Sequence, residues 1–320
     1  MKRLCRTRPV SALAGILLLP LLLTGMCACS MAPRMVSEGV LDPLPPATAQ
    51  PLATAMPSRQ ATPSITPGPT ATAPARPITE TVPITRSVAG RSITAQRIGR
   101  GRRILVIVGA MHGAQEANTG VLVDKLASRY GQASPALLEK ASVYFVPRLN
   151  PDGVARGSRL NAHGVDLNRN WGTGNWARAA TAGGSTVYST AGGKAPFSEP
   201  ETQGLSQWLL ALYGEGNMGA VIFYHSGGVG GKGVVQPGYR LIEQRQVVEP
   251  RAAELAEAFA AAVGYGYADT WSWYKITGEA INWAAENGIP CFDVELPNYS
   301  NLGNEGVSAQ LAAIVQVVER

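Results

Sequence analysis

The residues with the greatest chemical reach are His112 and Glu116, in the stretch Met111-His-Gly-Ala-Gln-Glu-Ala-Asn-Thr-Gly120. The stretch follows Ile104-Leu-Val-Ile-Val108, an apolar β-branched run that predicts a buried strand. In an open α/β sheet, ligands bind at the carboxyl ends of strands. An imidazole and a carboxylate placed there suit a divalent metal, zinc above all. His225 follows another apolar run, Ala220-Val-Ile-Phe-Tyr224, and completes a possible His/Glu/His zinc set with an open fourth position. Glu295 stands at the end of a further predicted strand, Pro290-Cys-Phe-Asp-Val-Glu-Leu296.

A second concentration of chemistry runs from Arg156 through Arg159, Asn161, His163, Asp166, Asn168, Arg169 and Asn170 to Trp171. Its guanidinium and amide donors suit a carboxylate or an oxyanion. A solvated polar loop is the plainer alternative. His163 reads as a loop residue without a metal role, and Cys291, inside an apolar strand, reads as a small core residue.

The elements that must hold these residues alternate between strand and helix. Ser87 to Ile98 reads as a turn into a strand, and Gly99-Arg-Gly-Arg-Arg103 as a hairpin leading to the strand at 104–108. A helix with Val121, Leu122, Leu126 and Tyr130 on one stripe follows, ending near Gly131. Val143-Tyr-Phe-Val146 is a second buried strand, running into the turn chemistry of Pro147-Arg-Leu-Asn-Pro-Asp-Gly153. Residues 172–197 are rich in Gly, Ser and Thr and read as a long surface loop. Ser198 and Glu201 form a capping box for a helix burying Leu205, Trp208, Leu209 and Leu212. Helices at 250–263 and at the C-terminus, with Leu311, Ile314, Val315 and Val318 on one face, complete the alternation. The expected class is α/β: a mixed, mainly parallel twisted sheet flanked by helices.

The chain has 320 residues, 45% hydrophobic and 16% charged. Residues 1–30 combine Lys2, Arg3, Arg6 and Arg8 with a short apolar run, the pattern of an export signal. Cys27 and Cys29 make it possible to read this as a lipoprotein signal, so the expected location is extracellular or in the cell envelope. Residues 31–84 are dense in Pro, Ala and Thr and are expected to form an extended tether. That leaves 85–320 as the folded domain. The formal charge is +6, but without the four basic residues of the leader about +2 remains, ordinary for a soluble domain. No basic patch argues for nucleic acid, and membrane contact is expected only through a lipid anchor. Three of the four cysteines lie in the leader, so the folded part, with Cys291 alone, forms no internal disulfide.

Five separated segments together resemble the zinc carboxypeptidase A family of metallopeptidases. They are His112 to Glu116, Asn150-Pro-Asp-Gly153, Asp166-Leu-Asn-Arg-Asn170, Tyr224-His-Ser226 and Val294-Glu-Leu296. The segments at 196–202 and 274–283 add to the likeness, which covers about residues 86–318. The resemblance implies that one zinc ion is held by His112, Glu116 and His225, with Asp166 orienting the His112 imidazole. It makes Glu295 the general base toward zinc-bound water. Arg159 becomes the oxyanion residue, with Arg156 as its competitor. Asn168 and Arg169 would grip the terminal carboxylate of a peptide, and Tyr274 would close over the bound residue. Glu279 would line the pocket for the last side chain and favour an amine there, as in Lys, Arg or diaminopimelate, while Ile281 would make part of the wall apolar. The implied activity is that of a monomeric metallocarboxypeptidase acting on peptides with a free C-terminal carboxylate, cell-wall peptides included. A deacylase-like amidohydrolase of N-acyl amino acids and an inactive surface peptide-binding protein are the alternatives. One departure stands out: the first motif is His-Gly-Ala-Gln-Glu, one residue longer than the family's His-x-x-Glu.

Overall fold

The computed structural model describes residues 78–320 apart from Ser185, Ser272 and Trp273. The expected export signal and the tether as far as residue 77 lie outside the described residues. One sheet holds eight strands. They are β1 (Thr79–Arg86), β2 (Ser92–Ile98), β3 (Arg103–Val108), β4 (Ala141–Val146), β5 (Met218–Ser226), β6 (Val234–Pro237), β7 (Gly266–Tyr267) and β8 (Cys291–Leu296). Their spatial order is β1-β2-β4-β3-β5-β8-β6-β7. The centre, β4-β3-β5-β8, is parallel throughout, whereas β1, β2 and the β8–β6 pairing are antiparallel. The mixed, mainly parallel sheet expected from the sequence is therefore the one observed.

Helices cover both faces: α1 (Ala117–Tyr130), α2 (Pro135–Lys140), α3 (Pro151–Arg156), α4 (Pro200–Gly214), α5 (Pro250–Val263), α6 (Ala280–Glu286) and α7 (Asn304–Glu319). Alternation along the central strands divides the core in two. Leu105, Ile107, Val143, Phe145, Ile222 and Phe292 pack toward α1, α5 and α7. On the opposite face Val106, Val108, Val146, Val221 and Phe223 pack with residues of α4 and α6 around Trp171 and Trp283. Strands buried on both sides explain the nearly continuous apolar runs of β3 and β5. Each fully buried side chain of this size contributes about 1.5–3 kcal/mol.

Several expectations need correction. Residues 79–84, assigned to the tether, form most of β1. This edge strand is largely exposed, carries a register shift around Pro83, and turns only two apolar side chains, Val82 and Ile84, toward the core, too few beside Pro83 to mark a strand in the Pro- and Thr-rich stretch. Gly99 to Arg103 does not close a hairpin, because β4 lies between β2 and β3, with Ile98 opposite Val143. The glycines serve close passage instead of a turn: a Cβ on Gly101 would collide with the backbone of Lys140 and Ala141. Helix α4 starts one residue later than the capping box implies. Glu199 is its N-cap and Pro200 its first residue, and Ser198 bonds Glu199 while Glu201 accepts from the Val88 amide (3.1 Å). Residues 172–197 are not wholly a surface loop. Ala180–Thr181 pairs with Val187–Tyr188, and Ala180, Thr181 and Ala191 are buried.

Candidate metal and substrate site

The predicted site residues converge at the carboxyl ends of β3, β5 and β8. The chain leaves β3 at Val108 and reaches His112 before a single turn, Ala114–Glu116, leads into α1. That turn absorbs the longer spacing of the first motif, with Ala114 in the left-handed region at φ 50°. Thr119 holds it, accepting from the Ala110 amide (2.7 Å) and donating to the Glu116 carbonyl (2.8 Å). Gly113 lies directly against Gly153, where a Cβ would collide with the Gly153 backbone. In this way the first motif and Asn-Pro-Asp-Gly interlock through two glycines. Asn150 accepts from the Gly153 amide (2.8 Å) and donates to the Arg159 carbonyl (3.1 Å), so the second motif positions the arginine loop.

On the neighbouring strands the geometry is set by register. Glu295 is the direct partner of His225 in the parallel β5–β8 pair. His112 Nδ1 lies 3.0 Å and His225 Nδ1 3.3 Å from Glu116 Oε2, with all three residues buried. One nitrogen from each imidazole and a Glu116 oxygen lie within 4.8 Å of one another, an arrangement able to hold a metal ion. The donor chemistry fits zinc. Behind His112, Asp166 Oδ1 lies 2.9 Å from Nε2. A proton held there leaves Nδ1 as the free lone pair toward Glu116. Burial works against ionisation of both carboxyls. It is outweighed for Glu116 by His112 and Arg159, and for Asp166 by Arg159 and His112, so both are held well below the usual carboxylate range. A charged carboxylate at Glu116 is what a cation needs.

Of the two candidate arginines, Arg159 is at the site. Its Nε donates to Asp166 Oδ2 (2.9 Å) and its Nη1 to Glu116. Arg156 instead donates to the Ala162 and Asn161 carbonyls of its own loop. Burial opposes the Arg159 charge, but Asp166 and Glu116 more than compensate and raise its pKa further.

Beside the three donors opens a cavity of about 440 Å³, lined among others by Asn168, Arg169, Tyr274, Glu279, Asp293 and Glu295. Arg169 is fixed by bonds from Nε to the Thr181 carbonyl (2.7 Å) and from Nη1 to the Asn168 carbonyl (2.6 Å). The Asn168 side-chain oxygen accepts from the Ala280 amide (2.9 Å). Glu279 is buried and accepts from the Tyr239 hydroxyl (2.6 Å). Burial raises its carboxyl despite that bond. Glu295 is pushed up to about 7, first by burial and then by the nearby charge of Glu116 and Glu279, against the pull of His225 and Arg159. Ile281, expected in the pocket wall, packs in the apolar core instead. His163 takes no part and pairs with Glu199 (2.8 Å).

Sequence reasoning missed Asp293, Gln236 and Trp271, which also line the cavity. Asp293 could have been found. It precedes Glu295 by two residues in one strand, so both project from the same face.

Comparison with known proteins agrees with this geometry. The sequence profile of the zinc carboxypeptidase family matches residues 72–310. Murein peptide amidase A of Escherichia coli K12 is 30% identical over 207 residues, covering 61% of this chain and 72% of that protein. An inactive metallocarboxypeptidase, ECM14, of Ajellomyces capsulatus is 31% identical over 149 residues, which span 38% of this chain but only 24% of the fungal protein. Among solved structures, bovine thrombin-activatable fibrinolysis inhibitor superposes with a TM-score of 0.63 at 19% identity, covering 76% of this chain and 90% of that one. The murein-tripeptide amidase of Escherichia coli O157 superposes with a TM-score of 0.56 at 25% identity, covering 78% and 94%. With its profile matched across most of its length, the chain belongs to the zinc carboxypeptidase family.

Proposed function

We propose that the protein is a zinc-dependent carboxypeptidase that hydrolyses the last amide bond of peptides. The observation that carries the reading is the placement of His112, Glu116 and His225 around one point, with Glu295 beside it in strand register. Bound through those three residues, zinc would supply a Lewis acid and an acidified water. Glu295 takes a proton from the attacking water and returns it to the leaving amine. A carboxyl poised near neutrality suits both steps. Arg159 keeps Nε on Asp166 and Nη1 on Glu116, with Nη2 3.0 Å from His112 Nε2, which holds its guanidinium charge beside the metal-facing residues to stabilise the oxyanion. Asn168 and Arg169 take the terminal carboxylate, and Tyr274 covers the bound residue.

For the last side chain, Glu279 gives the cavity wall a carboxyl group, which supports an ammonium-bearing residue such as lysine, arginine or diaminopimelate. Similarity to a murein peptide amidase supports the cell-wall version, and the leader pattern supports action outside the cytoplasm. A second reading, binding of peptide C-termini without turnover, is favoured by the likeness to an inactive fungal metallocarboxypeptidase.

The test is incubation of the zinc-loaded protein with peptides ending in Lys, Arg, Phe or Leu and with murein tripeptide. Products are read by mass spectrometry, alongside Glu295→Gln and Glu116→Ala. Release of one C-terminal residue, abolished in both variants, is the expected result. Zinc binding with peptide retention but no cleavage would move the assignment to the binding protein. Cleavage confined to N-acyl amino acids would make it a deacylase.

A further inference from the structure

The two imidazoles of the site are treated differently by their surroundings. His112 Nε2 has Asp166 at 2.9 Å. His225 Nε2 is buried and has no hydrogen-bond partner. The acidic oxygen that faces it is Asp293 Oδ1 at 3.9 Å, and that atom too is buried without a partner. Neither atom presents accessible surface, so each depends on a partner inside the protein. Two complementary polar atoms that face each other in this way are costly to leave unmade.

Proton placement makes the pairing directional. His225 Nδ1 faces Glu116 Oε2 at 3.3 Å, the point on which the three donors converge. A nitrogen that ligates a metal must be unprotonated, so the ring's single proton then sits on Nε2 and needs an acceptor. The backbone already brings the acceptor into place: Asp293 lies two residues before Glu295, and Glu295 is the register partner of His225. A rotation of about 1 Å at either side chain turns the 3.9 Å approach into an ordinary hydrogen bond.

We infer that Asp293 is a positioning residue for the metal site, accepting the Nε2 proton of His225 as Asp166 does for His112. The inference rests on the zinc reading above. It gives Asp293 a role distinct from reading the substrate's side chain, and it places one aspartate behind each metal-facing imidazole.

The experiment uses the full protein and its Asp293→Asn, Asp293→Leu, Asp166→Asn and Glu279→Gln variants, each checked for an unchanged circular dichroism spectrum. Zinc affinity is measured by competition with a chromophoric chelator, and the visible spectrum of the cobalt-substituted protein reports the ligand field. Losing an outer-shell partner of a metal-bound histidine typically weakens metal binding about 10- to 100-fold. Asp293→Asn and Asp166→Asn are expected to fall in that range and to shift the cobalt bands, with Glu279→Gln close to the unaltered protein. Asp293→Asn keeps an acceptor oxygen and loses only the charge, whereas Asp293→Leu has nearly the same shape and no acceptor at all, so a loss in Asp293→Leu at least as large as in Asp293→Asn ties the effect to the acceptor. Unchanged zinc affinity and cobalt bands in Asp293→Leu, with KM raised for peptides ending in lysine, would overturn the inference and make Asp293 a reader of substrate. An equal loss in Glu279→Gln would also overturn it, since the effect would then be general charge. If the unaltered protein takes up no zinc, the zinc reading itself fails and this inference with it.

Discussion

Glu295 carries a carboxyl that burial, Glu116 and Glu279 raise to about 7, which fixes the sign of its pH dependence. The base form grows as pH rises, so kcat/KM should climb through an acid limb and level off above it. A cation bound beside Glu295 lowers its pKa, which places the limb of the zinc-loaded enzyme below about 7. Initial rates across pH check this. Glu295→Gln should lose about 10²–10⁴ in kcat, the usual share of a general base, with zinc content intact. A limb of the same shape in that variant would assign it to another group. Arg159 and Arg156 can be separated in the same assay. Replacing Arg159 by Met should cost about 10²–10³ in kcat, as for loss of an oxyanion donor. Arg156→Ala should leave kcat alone, because its guanidinium serves only its own loop. His112, His225, Glu116 and Glu295 were legible in the sequence because each stands at or just beyond a strand end, where an apolar run stops abruptly. The choice between the two arginines was not, since three residues apart on a loop says nothing of direction.

The elements show where a motif is structural in its chemistry. Asn-Pro-Asp-Gly touches no metal donor, yet Asn150 holds the Arg159 carbonyl, and Asp152 accepts from Ser87 (2.8 Å), the Ala89 amide (2.8 Å) and Arg91 (2.7 Å) to fasten the β1–β2 turn. The two motifs meet at the contact of Gly113 with Gly153. Gly113→Ala should drive the His112–Glu116 turn away from α3, with a cost of about 1–3 kcal/mol of overpacking. Thermal melts should show that loss, and chelator competition a weakened zinc site. An unchanged melt with full zinc affinity would mean the two loops can part without consequence. Strands β3, β4, β5 and β8 and the four longer helices could be read from periodicity, because each buries a continuous face. The edge strand β1 could not, since only Val82 and Ile84 face the core and Pro83 between them reads as part of the Pro-rich stretch before it. Nor could the insertion of β4 between β2 and β3, because local turn chemistry looks alike whether a chain doubles back on its neighbour or steps across it.

For the molecule as a whole, the parallel centre of the sheet gathers the chemistry at one end. The metal-facing residues, the proposed base and the loop proposed to hold substrate all lie at or beyond the carboxyl ends of the central strands, where open α/β sheets bind ligands. Elements of two kinds supply them. His225 and Glu295 belong to adjacent strands of the buried sheet, in direct register. Arg159, Asn168, Arg169 and Tyr274 come from connections without long helices or strands of their own.

That difference divides the site by the timescale on which it can open. Backbone amides of β5 and β8 should exchange with deuterium only through global unfolding, whereas those around Tyr274 should exchange through local opening at much lower free energy. Mass-resolved exchange on the full protein would show it as two separated sets of protection. On warming, the grip on the substrate should then loosen well before the spacing of base and metal-facing histidine changes. KM should rise at temperatures where kcat still follows its ordinary increase. The pairing of two residues across one hydrogen-bonded ladder thus makes the hydrolytic part of this enzyme its slowest-moving part, and leaves adaptation to different peptides to the parts that breathe.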